Sequence, residues 1–334
     1  MPQSEPNHLD PSAQATTPPG ASLPETTPQV VSSPDTTSSA TTSPEGEVPD
    51  QAIGVSDRAA SVLAAGSPDT TSDGSAPRHP PALEIRGLSK RFGDKVAVDS
   101  LDLVVPAGSF YGLVGPNGAG KTTTLSMATG LLRPDAGEIR IHGVEVWRNL
   151  IDAKRLVGVL SDGVRLFDRL TGVQLVTYAG LLSGMDRDVV VERTADLLQL
   201  LDLESAGGTL VVDYSAGMTK KIALACALIH APRLLVLDEP FESVDPVSSA
   251  NIRDILDGFV KSGGTVIVSS HAMDLVQRMC DHVAIIAQGR VLAAGTTDDV
   301  RAGSTLEDRF VDLVGGRRHG EGPEWLRTLS NSAS

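Results

Sequence analysis

Eight consecutive residues, Gly115, Pro116, Asn117, Gly118, Ala119, Gly120, Lys121 and Thr122, satisfy G-x-x-x-x-G-K-[ST] directly after the apolar run Phe-Tyr-Gly-Leu-Val at 110–114. Few folds can use such a segment. Its glycines permit a turn tight enough to aim several backbone N–H groups at one point, and a helix starting there adds about half a positive charge at its N-terminus. Strand, loop and helix together make a seat for a di- or triphosphate. In that seat Lys121 bridges the β- and γ-phosphates, Thr122 ligates Mg²⁺, and Thr123 is expected to join residues 115–122 in binding the nucleotide.

The 334 residues are not uniform in composition. Residues 1–80 hold 13 of the 21 prolines and no Phe, Trp, Tyr or Lys, so this stretch has too little to bury to offset the entropy of ordering. It is expected to be a disordered tail. The hexapeptide Ser-Pro-Asp-Thr-Thr-Ser recurs at 33–38 and 67–72, a low-complexity repeat too short for a solenoid. With 10 acidic and 2 basic residues the tail contributes −8 of the net charge of −14. That balance speaks against nucleic acid as a partner. The tail has neither the basic start nor the apolar stretch of a secretory signal, which points to a cytoplasmic chain. No apolar run reaches the ~18–20 residues that span a bilayer, so any membrane role calls for a partner chain. Cys226 and Cys280 sit among apolar neighbours and read as buried thiols.

From residue 83 onward, hydrophobic periodicity predicts a folded domain. Leu-Glu-Ile-Arg-Gly-Leu at 83–88 alternates like a half-buried edge strand, 96–105 and 110–114 supply further strands, and 138–141 alternates again. Helical periods run through 170–203 and 216–230, giving a helical subdomain at about 163–230. Strands at 234–237, 265–269 and 282–287 then alternate with helices at 247–260 and 272–281, as parallel α/β units do. The expected fold class is α/β.

Leu-Leu-Val-Leu at 234–237 leads into two adjacent carboxylates, Asp238 and Glu239. Strand alternation sends neighbours to opposite faces, so the pair is expected to divide its tasks. Asp238 suits Mg²⁺, through water, and Glu239 suits the polarisation of an attacking water, a general-base role worth ~10² to 10⁴ in rate.

Tyr-Ser-Ala-Gly-Met-Thr-Lys-Lys at 214–221, lying between the phosphate loop and the Asp-Glu strand, resembles the signature motif of ATP-binding cassette ATPases. The family's order is an aromatic stacking residue, phosphate loop, Gln loop, signature, Asp-Glu strand, Ser-Ala-Leu-Asp loop and switch histidine; this chain offers a counterpart to each, in that order. The resemblance implies, over 81–315, a P-loop NTPase core of mixed sheet flanked by helices, an antiparallel β subdomain, and a helical subdomain carrying the signature, leaving a short flexible tail at 316–334. It implies that Phe92 stacks on adenine, that Ser215 and Gly217 contact the γ-phosphate of nucleotide held by another subunit, that Asp245 communicates across that dimer, and that His271 senses the γ-phosphate and Glu239. It further implies ATP and Mg²⁺ as ligands and a homodimer or pseudo-dimer of nucleotide-binding domains. The segment Phe-Asp-Arg-Leu-Thr-Gly at 167–172 then lies where a helix of an integral membrane permease docks.

Three positions depart from the pattern. Ala216 replaces the first signature glycine, Asp162 stands where the family has glutamine, and the Ser-Ala-Leu-Asp loop reads Ser243-Val244-Asp245. Asp162 can bind Mg²⁺ or its water but repels phosphates and donates no N–H, which predicts slower hydrolysis. The chain closes soon after residue 315, resembling stand-alone bacterial export ATPases. The expectation is the ATPase subunit of an exporter, held at the inner face of the membrane by a separately encoded permease. The rival readings are a cassette ATPase with no membrane partner, set against one cassette, no sustained heptads and an acidic balance, and a non-hydrolysing scaffold, set against Glu239.

Overall fold

The computed structural model describes residues 80–163 and 165–314. The two expected tails, apart from Pro80, lie outside the described residues.

Two sheets organise the fold. The first is antiparallel, in the order β2-β1-β4-β5, from β1 (Leu83–Phe92), β2 (Lys95–Val105), β4 (Ala136–Ile141) and β5 (Val144–Glu145). β1 is therefore not the edge strand its alternation suggested. Alternation reports that one face is buried and says nothing of whether both backbone edges are paired.

The second sheet runs β10-β9-β3-β8-β7-β6, from β3 (Phe110–Val114), β6 (Val157–Leu160), β7 (Leu234–Asp238), β8 (Thr265–Ser270), β9 (His282–Ala287) and β10 (Arg290–Thr296). Its strands β9, β3, β8, β7 and β6 are mutually parallel, and β10 closes one edge antiparallel to β9. A parallel sheet must be covered on both faces, and β3, β7 and β8 are buried at every residue. Their side chains divide by period two between two cores. Phe110, Val114, Leu235, Leu237, Val266 and Val268 point into one, while Tyr111, Leu113, Leu234, Val236 and Ile267 point into the other.

The first core receives the helices α3 (Gly172–Leu182), α4 (Arg187–Leu200), α5 (Ala216–Leu228), α6 (Pro246–Lys261) and α7 (Met273–Met279). The second is shared with the antiparallel sheet and with α1 (Lys121–Ala128), which supplies Leu125, Met127 and Ala128. Helix α2 (Leu150–Leu156) packs Ala153 there, and α8 (Thr297–Arg301) and α9 (Leu306–Val314) follow β10. The helical run expected over 170–203 is two helices. Gly184, at φ 79°, ends the first by turning the chain left-handed. Cys280 is buried and Cys226 partly so, and burial pushes both thiols up, Cys226 to about 12.

Candidate nucleotide site

Loop 115–120 joins the end of β3 to the start of α1, so the sheet aims the helix N-terminus at whatever the loop holds. Gly120 caps α1 at φ 106°, and a Cβ there would lie 2.5 Å from the carbonyl oxygen of Ala97 on β2, so only glycine fits. Lys121 is folded back into this loop and is 6% exposed. Its Nζ donates to the carbonyl oxygens of Gly115 at 2.8 Å and Pro116 at 3.3 Å, and it lies 3.7 Å from Oε1 of Glu239.

Phe92, residues 117–123, Asp162 and Glu239 line one open cleft of about 490 Å³. Lys95 and Glu242 line it too, although neither stands out in the sequence; their places follow from the β1–β2 hairpin and from the turn after Pro240. Phe92 is 50% exposed, with the ammonium of Lys90 5.7 Å from its ring centre, and Lys90 is in turn held by Asp135 at 2.7 Å. One face of the ring is thus backed by a cation.

Asp238 ends β7 almost fully buried, where its carboxylate accepts a hydrogen bond from the Ser269 hydroxyl of β8. The backbone N–H of Glu239 donates to the same Ser269 oxygen at 3.1 Å. Sequence reasoning passed over Ser269, whose only signal is its place just before His271. The two carboxylates separate because Glu239 turns left-handed, φ 47°, at the strand end. That turn brings Glu239 Oε2 to 3.1 Å from Nδ1 of His271. Glu239 therefore sits between a buried ammonium and an imidazole, aimed into the cleft beside the phosphate loop.

Ser215, Gly217 and Asp245 do not line this cleft. They form a second face. Ser215 caps α5, its Oγ accepting from the Met218 N–H at 3.2 Å. Asp245 caps α6, accepting from the N–H groups of Val247 at 3.0 Å and Ser248 at 2.9 Å. Hydrogen bonds from Ser248 and then Val247 hold the Asp245 carboxyl below its ordinary value. The two caps interlock at Gly217, where a Cβ would meet Ser248 Oγ at 2.7 Å and Asp245 Oδ2 at 2.9 Å. The exposed neighbour Ala216 meets no such barrier, which accounts for alanine at one position and glycine at the next. Tyr214 packs in the core, and its hydroxyl donates to the Ala206 carbonyl at 2.8 Å.

Asp162 does not cap the following helix. That cap is Thr171, in a reciprocal pair with Gln174 at the start of α3. Before it, Phe167 is 60% exposed and meets Tyr178 edge-on at 5.6 Å; Val173, Leu181 and Leu182 add to an uncovered apolar surface.

The sequence pattern that defines the ABC transporter family matches residues 98–242. The daunorubicin resistance ATP-binding protein DrrA3 of Streptomyces coeruleorubidus is 37% identical over 233 residues, covering 70% of this chain and 73% of that protein. The Nod factor export ATP-binding protein I of Cupriavidus metallidurans is 36% identical over 213 residues, covering 64% and 70% respectively. Among solved structures, the ATP-binding subunit of an ABC transporter superposes with a TM-score of 0.65 at 28% identity, covering 70% of this chain and 99% of that one. On these likenesses the chain belongs to the ABC transporter family as an ATP-binding, ATP-hydrolysing protein.

Proposed function

We propose that the chain is the ATPase subunit of an export-type transporter, working as a dimer on a separately encoded permease. The observation that carries this reading is the division of the expected site residues between two places. Residues 117–120 of the loop, Lys121 and Glu239 line one cleft, with His271 hydrogen-bonded to Glu239, while Ser215, Gly217 and Asp245 form a face that does not line it. A second copy, docked with that face over the cleft, supplies the missing contacts: the Ser215 hydroxyl and the N-terminus of α5 on the γ-phosphate. ATP then holds two chains together, and hydrolysis releases them.

Within the cleft, Phe92 stacks on adenine and the loop amides hold the phosphates. Lys121, now satisfied by Gly115 and Pro116, transfers its ammonium to the β- and γ-phosphates. Glu239 accepts a proton from water as the water oxygen bonds to the γ-phosphorus and the bond to the β–γ bridging oxygen breaks, leaving ADP and phosphate. His271 fixes the orientation of that carboxylate. The residues fit Mg²⁺. Asp238 is a carboxylate already ordered by Ser269, Thr122 is an exposed hydroxyl in the first turn of α1, and Asp162 lines the cleft, together the oxygen donors this ion takes. Bound there, the ion offsets phosphate charge that two lysines against three carboxylates leave unbalanced.

No helix among the described residues is long and apolar enough to cross a membrane; in this reading the path for an exported molecule lies in the permease. The uncovered surface of Phe167, Tyr178 and Leu182 is the seat for that permease. Two relatives named for drug resistance and for export support the direction of transport. The test is sedimentation with Mg²⁺-ATP and co-purification of integral membrane proteins with the tagged chain from its own cells. An ATP-dependent dimer that Ser215→Arg abolishes, and a complex that Phe167→Glu weakens, are expected; a chain that stays monomeric in saturating ATP refutes the sandwich.

A further inference from the structure

Lys220 stands on α5, five positions after the Ser215 cap, with only 17% of its side chain exposed. Its Nζ donates to the backbone carbonyl oxygen of Glu239 at 3.2 Å and lies 3.9 Å from Oδ1 of Asp162. One ammonium thus touches the residue that carries the proton acceptor and the acid that replaces the family's glutamine. The Glu239 carbonyl leads into Pro240, and Glu239 itself holds a left-handed φ of 47°, a conformation a non-glycine residue keeps only where its surroundings enforce it. Ser269 holds the N–H side of Glu239, and Lys220 shares the C=O side with the Glu242 N–H, which donates to the same oxygen at 3.2 Å. Between them they fix both peptide groups flanking the Glu239 Cα, and so the direction in which its carboxylate leaves the backbone.

We propose that Lys220 is a positioning residue for hydrolysis, which aims Glu239 and is itself held in place by Asp162. The proposal rests on Glu239 as the proton acceptor. It gives Asp162 a task that glutamine, being uncharged, cannot perform in the same way: a carboxylate anchors the lysine that orients the base. It also joins the signature helix to the reacting centre, because a shift of α5 moves Lys220, and Lys220 pulls on Glu239.

The test is steady-state ATP hydrolysis by the full chain, with melting temperature followed in parallel. Lys220→Met is expected to lower kcat by ~tenfold or more, as misaiming a general base does, while KM for ATP stays within about twofold. Lys220→Arg, which keeps the charge and the donors, restores most of the rate. Asp162→Asn lowers kcat, and the double variant is less impaired than the product of the two single effects by ~threefold or more, the mark of residues acting through one contact. Should Lys220→Met fail to fold, Lys220→Gln, which keeps a donor without the charge, carries the same criteria. A kcat within twofold of the parent for either neutral variant, or Asp162 and Lys220 effects that simply multiply, overturns the proposal. Glu239→Gln is measured alongside. If it hydrolyses at the parent rate, the proton-acceptor reading fails instead; if it is dead while Lys220→Met is active, only the Lys220 proposal falls.

Discussion

Replacing Glu239 with Gln removes one proton-accepting oxygen and leaves the shape of the side chain unchanged. In the folded chain this carboxylate is 11% exposed, 3.7 Å from Lys121 Nζ and 3.1 Å from His271 Nδ1. Losing a general base costs ~10² to 10⁴ in rate, which corresponds to about 2.7–5.4 kcal/mol on the barrier. Binding moves the other way. The cleft presents two lysines against three carboxylates, and the substitution removes one of the charges that repel phosphates, so ATP affinity holds or rises. The half-exposed His271 pair contributes under about 1 kcal/mol to folding, and the larger cost falls on the buried Lys121 contact, offset by the hydrogen bonds Lys121 keeps to the Gly115 and Pro116 carbonyls. The assay is single-turnover phosphate release beside equilibrium binding of a fluorescent ATP analogue. Phosphate release within threefold of the parent, or an affinity loss matching the rate loss, would show that Glu239 binds nucleotide and does not take the proton.

Phe92→Ala should raise KM for ATP while leaving kcat nearly unchanged, a loss of ~1–3 kcal/mol of stacking; an equal effect on GTP, whose base stacks comparably, is the check that the contact is not base-specific. Gly217→Ala should impair activity by forcing Ser248 and the Asp245 cap apart, whereas Ala216→Gly should be tolerated; thermal melts and hydrolysis rates of the two variants make the comparison. Burial holds the His230 imidazole below its ordinary value, and its Nδ1 has no hydrogen-bond partner. The unfolded chain therefore binds this proton more readily, so the contribution of neutral His230 to stability is present above pH ~6.5 and lost as pH falls below it. His230→Gln should flatten the decline of melting temperature between pH 7 and 5, and an unchanged slope would assign the decline to other groups.

The parts of the site that are contiguous in the chain were legible in the sequence. Loop 115–120 needs its glycines at fixed spacing, and an apolar strand ending in Asp238 and Glu239 announces itself by composition. What depends on the packing of distant elements was not. Lys95 and Glu242 enter the cleft from a hairpin and a turn, Ser269 reaches Asp238 across two strands, and Lys220 reaches Glu239 from a helix in another part of the fold. The α/β class followed from periodicity, yet the strand order β10-β9-β3-β8-β7-β6 did not, because a period of two records which face is buried and not which neighbour is paired.

Gly217 has a further consequence. Where the starts of α5 and α6 meet, a methyl group on Gly217 would come 2.7 Å from Ser248 Oγ and 2.9 Å from Asp245 Oδ2, so it could enter only by pushing those cap side chains aside. Ser215, on the helical subdomain, and Asp245, on the helix that follows β7, therefore meet at one seam, so a change at either cap is passed to the other through Gly217.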